Sequence, residues 1–169
     1  MINIRSATKN NVDSIWELRA KAIKQTCLTH YPKEIVLKWA SSPMPANFEE
    51  VLIHLNAIVA EDTDPNKPVS LLGFGFIDKE RSKLESLFVD PQASRRGVGR
   101  LIATTLVSIA RQANLSRLQL SSTLNAVAFY QSIGFEILAE TNWQHPADFE
   151  LASVSMEIQI VEEIKDDDV

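Results

Sequence analysis

The sequence predicts a single domain of mixed α/β (α+β) class, and three observations lead there. The chain has 169 residues, a length that fits one domain able to bury its own core. Its apolar residues switch several times between helical and strand spacing. Three strand-like runs between residues 57 and 89 are joined by short polar turns, the mark of an antiparallel meander, whereas the later strands are separated by a helix. No internal repeat, linker or low-complexity segment divides the chain. Residues 1–161 are therefore expected to form one domain, with residues 162–169 an acidic, solvated tail.

Residues 2–6 alternate apolar and polar and read as a strand. From 11 to 27, Val12, Ile15, Trp16, Ile23 and Cys27 recur at helical spacing, with Thr8 as an upstream cap. Tyr31-Pro32 breaks this run, and residues 33–40 read as a second helix with proline at its first turn. Residues 48–55 read as a third. Residues 57–61, 69–78 and 84–89 are the strands of the meander, and the Pro- and Asp-rich stretch 62–68 is a turn. Residues 97–114 form a long helix with Val98, Leu101, Ile102, Leu106, Ile109 and Ala113 on one side. A strand at 118–121 follows, then a helix at 125–133 closed by Gly134 in a left-handed cap. Strands at 135–139 and 149–160 complete the chain, and the long last one offers an edge for dimerisation. Monomer and homodimer both stand at this point.

The formal net charge of −5 argues against a nucleic-acid-binding domain. The single cysteine, Cys27, allows no internal disulfide and suits a reducing compartment. No basic segment leads into an apolar run at the N-terminus, and no stretch approaches the ~20 apolar residues of a membrane span. A soluble, cytoplasmic protein without nucleic-acid or membrane partners is expected.

The informative segment runs from Leu87, Phe88 and Val89 through Asp90-Pro91 to Ser94-Arg95-Arg96-Gly97-Val98-Gly99-Arg100. A strand ends, a short loop follows and a helix opens beside two of the five glycines. The first amides of a helix lack internal partners, the helix dipole adds positive charge there, and glycine lets an anion approach the backbone. Arg95 and Arg96 add charge, and Ser94 is placed to cap the helix. On these grounds alone two readings stand: an anion site, or a glycine-containing helix start with solvated arginines. A Walker loop is excluded, because no Gly-Lys-Ser/Thr follows. The dinucleotide fingerprint is excluded too, because Ile102 stands where its third glycine belongs.

The segment resembles motif A of the GNAT superfamily of N-acetyltransferases, Gln/Arg-x-x-Gly-x-Gly/Ala, with Asp90-Pro91 at the strand end and Gly97-Val98-Gly99 at the matching spacing. Ser94 stands where the family usually has Gln or Arg. Downstream, Asn125, Ala126, Phe129-Tyr130 and Gly134-Phe135 resemble motif B, in the form found in small bacterial members. The resemblance spans nearly the whole chain and is strongest from residue 84 to 135. It implies a central, mostly antiparallel mixed sheet of about seven strands, helices on both faces and splayed central strands. It also implies acetyl-CoA as cosubstrate, no metal, and transfer of the acetyl group to a small-molecule or peptide amine by direct attack.

By the same resemblance, Leu87, Phe88 and Val89 would meet the pantetheine through their backbone. Residues Ser94, Arg95, Arg96, Gly97, Val98, Gly99 and Arg100 would hold the pyrophosphate, Phe129 would lie beside the cofactor, and Asn125 would contact the cofactor or brace the loop. Tyr130 would donate a proton to the leaving thiolate; its alternative is a core tyrosine with a satisfied hydroxyl. Glu85 would take the amine proton; its alternative is a half-exposed strand glutamate paired with Lys83 or Arg81. The first helices and the last strand connection build the acceptor site, so His30, Tyr31, Trp39, Trp143 and His145 are candidates to line it, against an alternative of core and rim packing. Cys27, on an apolar stripe, is expected to be buried rather than acyl-bearing. A non-catalytic acyl-CoA sensor on the same fold is the competing function.

Overall fold

Residues 1–161 are described by a computed structural model, and the acidic tail at 162–169 lies outside the described residues. The chain runs β1 (Ile2–Ser6), α1 (Val12–Thr26), α2 (Lys33–Ala40), α3 (Phe48–His54), β2 (Ile58–Asp62), β3 (Ser70–Asp78), β4 (Lys83–Val89), α4 (Val98–Gln112), β5 (Arg117–Thr123), α5 (Val127–Ile133), β6 (Glu136–His145) and β7 (Phe149–Gln159). The seven strands make one sheet in the order β1-β2-β3-β4-β5-β7-β6. Neighbours are antiparallel except β4 and β5, which are parallel. The expected mixed α/β fold is what the chain adopts.

Helices cover both faces. On one, α4 buries Val98, Ile102, Ala103, Leu106, Val107 and Ala110. Its approach to β3 is set by two small residues. A Cβ on Gly73 would come within 2.8 Å of Ile102 Cδ1, and one on Gly75 within 3.0 Å of Leu106 Cδ1. Bare backbone there lets the helix sit close to the strand. Leu101, expected on the apolar side, is 37% exposed instead. On the other face, Ile15 and Leu18 of α1 and Leu52 of α3 pack on Phe74 and Phe76. A third cluster joins Ile23, Cys27, Tyr31, Val36 and Trp39 to Phe149 and Leu151 at the start of β7.

Several boundaries differ from expectation for physical reasons. Thr8 opens a 3₁₀ turn before α1, and its amide donates to Asn11 Oδ1 at 2.9 Å. Pro32 precedes α2 in an extended conformation rather than sitting within its first turn. A 3₁₀ turn at Leu124–Ala126 comes ahead of α5, which ends as expected at left-handed Gly134. β6 continues to His145 because β7 offers it a full antiparallel partner; its outer residues are exposed and carry no burial pattern. For that reason β7 is interior, and the sheet edges are β1 and β6.

Candidate active site

The parallel pair β4 and β5 is the break in the sheet. They share one bridge, Lys83 with Gln119, supported by Gln119 N donating to Ser82 O at 2.9 Å. Beyond it the strands diverge toward their C-terminal ends. Backbone groups on the β5 side of β4 then have no ladder partner among the described residues. A cavity of about 890 Å³ fills the opening, a size typical of ligand sites. It is lined from both helical layers: by the loop before α4, α4 and α5 on one side, and by α1, Tyr31 and Trp39 on the other.

The loop after β4 is built by local bonds. Asp90 Oδ1 accepts the amide of Gln92 at 2.9 Å, and the Asp90 amide donates to Leu72 O at 2.8 Å. Lys21 Nζ reaches the same Oδ1 at 3.0 Å, tying α1 to the loop. Arg95 and Gly97 then both take left-handed backbone angles, φ +68° and +78°. The first ladder bond of α4 runs from Leu101 N to Gly97 O at 3.0 Å, so the amides of residues 97–100 precede the ladder. This is the anion-binding geometry of a helix start.

Among the residues expected there, Ser94, Arg95, Gly97, Val98, Gly99 and Arg100 line the cavity. Arg96 does not line it: its Nη2 pairs with Asp62 Oδ2 at 3.1 Å. Ser94 does not cap α4, because the turn at Arg95–Gly97 separates them and Gly97 is the capping residue. Gly99 has a packing reason of its own. A Cβ there would meet Phe129 Cζ at 3.3 Å and Val89 Cγ2 at 3.4 Å.

Glu85, Leu87, Phe88, Val89, Asn125, Phe129 and Tyr130 line the same cavity. Tyr130 is buried, its ring edge-on to Phe129 and Phe135. Burial pushes its phenol far up, so the hydroxyl stays protonated and is available as a donor. Asn125 Oδ1 is buried with no partner among the described residues. Glu85 is a quarter exposed, with Lys83 Nζ 3.7 Å away.

Tyr31, Trp39 and Trp143 also line the cavity. His30 does not: it is exposed in the turn after α1 and bonds Thr29 Oγ1 at 2.8 Å. His145 also lies outside the lining, stacked on Phe149 at 4.4 Å, where burial and then the charge of Arg19 lower its pKa. Tyr31 has its hydroxyl engaged, donating to Ala152 O and accepting from Leu124 N. Cys27 is buried as expected, and burial raises its thiol pKa.

A family model described as an acetyltransferase (GNAT) domain matches residues 27–145, more than half of the chain. The chain belongs to the GNAT acetyltransferase family. A curated relative, the uncharacterized N-acetyltransferase YafP of Escherichia coli K12, is 23% identical over 139 residues, covering 82% of this chain and 84% of YafP. Among solved structures, a GCN5-related N-acetyltransferase from Rhodopseudomonas palustris matches with a TM-score of 0.83 at 20% identity, over 93% of this chain and 94% of that one. YncA of Salmonella typhimurium, a putative acetyltransferase solved with its cofactor acetyl-CoA, matches with a TM-score of 0.62 at 20% identity, over 100% and 99% of the two chains. The PaiA N-acetyltransferase of Thermoplasma acidophilum, solved with coenzyme A, matches with a TM-score of 0.68 at 16% identity, over 94% and 99%. At these identities the structural likeness is one of fold.

Within this GNAT chain, the lining residues that sequence reasoning missed come from α1 (Arg19, Ala22 and Thr26) and equally from β5 and β7, including Leu120, Ser121, Leu151 and Ser153. Arg19 stands one turn from both Ile15 and Ile23, so a cation on the apolar stripe was the available signal.

Proposed function

We propose that the protein transfers an acetyl group from acetyl-CoA to the primary amine of an acceptor by direct attack in a ternary complex. One observation carries this reading. The ladder-free amides at the start of α4 and the otherwise buried Tyr130 belong to one cavity, which opens where β4 and β5 part. The pyrophosphate lies against the amides of residues 97–100, with Arg95 and Arg100 nearby. The pantetheine runs along the open side of β4 at Leu87–Val89, where its amides replace the missing strand partner. Relatives of this fold solved with acetyl-CoA or coenzyme A support that occupant.

In the reaction the neutral amine attacks the thioester carbonyl carbon. A C–N bond forms, the C–S bond breaks and coenzyme A leaves. Glu85, directly or through a water, takes the proton the amine sheds. Tyr130 donates to the sulfur as charge develops there. Burial disfavours the phenolate, so the phenol holds its proton before the reaction.

The test is calorimetric titration with acetyl-CoA, with adenosine diphosphate as control. Saturable binding that needs the pantetheine arm is expected, followed by thioester loss when an amine panel is added. No binding would sink the reading, and binding without turnover of any amine would favour a sensor.

A further inference from the structure

Among the described residues, Arg19 is a buried cation with no carboxylate to neutralise it. It is 9% exposed, and its Nη1 has no hydrogen-bond partner among the described residues. Nη2 makes one long bond to the carbonyl of Trp39, at 3.4 Å. The guanidinium lies over the Trp16 ring, 4.2 Å from its centroid. Among the described residues no carboxylate pairs with it. Burial brings its pKa down to about 10, which leaves it charged at neutral pH. A buried charge without a counterion is costly, and a guanidinium offers five donors in a planar fork that matches a carboxylate. The structure nevertheless places this one in the wall of the active cavity.

Position says which ligand would supply the anion. Arg19 comes from α1, on the opposite helical layer from the α4 loop proposed to hold the pyrophosphate. It meets the carbonyl of Trp39 and shares the lining with Tyr31 and Trp143, the residues that the acetyl-transfer reading assigns to the acceptor. With the cofactor phosphates assigned by that reading to the α4 loop, the partner missing from Arg19 belongs to the other substrate.

We propose that the acceptor is an amine that also carries a carboxylate, with the carboxylate held by Arg19 and the amine presented to the thioester near Glu85. This rests on the acetyl-transfer reading of the same cavity and adds the substrate class. Arg19 acts in binding and takes no part in proton transfer.

The experiment compares matched acceptors with and without the carboxylate: phenylalanine against 2-phenylethylamine, methionine against 3-methylthiopropylamine, and 4-aminobutyrate against butylamine. Phosphoethanolamine serves as the phosphate arm. Wild type, Arg19→Gln, Arg19→Lys and a control of equal charge change on the exposed side of α1, Lys24→Gln, are assayed together with thermal melts. The expected result is a kcat/KM preference of roughly tenfold or more for at least one carboxylate member, carried by KM, in line with a charge-assisted bond. Arg19→Gln should erase the preference, Arg19→Lys restore part of it and Lys24→Gln keep it.

Equal rates within every pair, a preference for phosphoethanolamine alone, or a preference that survives Arg19→Gln would overturn the proposal. So would a lower melting temperature in Arg19→Gln with the preference intact, since that marks a structural role.

A second arm needs no turnover. Binding of 3-phenylpropionate is followed by tryptophan fluorescence in the presence of coenzyme A. Saturable binding lost in Arg19→Gln supports the carboxylate site even if no amine in the panel reacts, and its absence from wild type counts against the site. Failure of acetyl-CoA to bind would sink the acetyl-transfer reading separately, because the carboxylate arm is read by itself.

Discussion

The Tyr31 hydroxyl accepts the amide hydrogen of Leu124 at 3.0 Å, joining the turn before α2 to the segment that follows β5. The same hydroxyl donates to Ala152 O on β7. One side chain thus ties three segments at the mouth of the cavity, and its first role is to hold the wall in place.

Tyr31→Phe removes both bonds and leaves a part-buried amide and carbonyl without that partner. The expected loss is about 1–3 kcal/mol, which for a chain of this size lowers Tm by roughly 2–4 °C per kcal/mol. A melting curve followed by circular dichroism checks it. An unchanged Tm would mean that water replaces the hydroxyl at no cost.

Tyr130→Phe should lower turnover by roughly a hundredfold, the lower range of general acid catalysis, while calorimetry finds acetyl-CoA affinity nearly unchanged. It has a second readout. Burial raises the phenol pKa in the folded state, so above the unfolded value of about 10 the native protein holds a proton that the unfolded chain releases. Stability from this group is full below that pH and is lost as pH rises above it. Urea midpoints between pH 8 and 11 should therefore fall less in Tyr130→Phe than in wild type.

Gly97 has a left-handed φ of +78°, yet a Cβ there would meet nothing within 4 Å. Gly97→Ala is thus a test of backbone strain alone, costing on the order of 1 kcal/mol. Gly97→Glu adds a side chain and a negative charge at the proposed anion site, and acetyl-CoA binding should disappear from the calorimeter. Retained binding would move the pyrophosphate elsewhere.

Glu85→Gln separates the two readings of that residue. As the base, its loss should depress kcat/KM most at neutral pH, with recovery as rising pH supplies neutral amine directly. As a partner of Lys83, 3.7 Å away, it should leave the pH–rate profile unchanged in shape.

Much of this was legible in the residues. Val98, Ile102 and Leu106 on the apolar stripe of α4 (though not Leu101), the glycines at its start and the Gly134 cap read correctly because local spacing and backbone freedom decide them. Arg95 and Arg96 show where such reading stops. Adjacent in sequence, one lines the cavity and the other turns to Asp62, because the left-handed angle at Arg95 reorients the chain. The full length of β6 is not legible in sequence, because its exposed residues have no periodicity and only the pairing with β7 extends it. Arg19 was passed over for a different reason. Helical periodicity is scored on apolar residues, so a cation on the buried stripe leaves no mark in the pattern that finds the helix.

The single rung between Lys83 and Gln119 also bears on mechanics. It divides the sheet into a four-strand leaf and a three-strand leaf. The leaves are fastened to each other mainly by apolar residues beneath α4 and α5, where Leu72 and Leu84 of one leaf share a cluster with Leu118, Leu120 and Met156 of the other. Apolar contact has no preferred direction, whereas a ladder of hydrogen bonds does. The seam can therefore widen or narrow slightly around an incoming molecule while every ladder within each leaf stays intact.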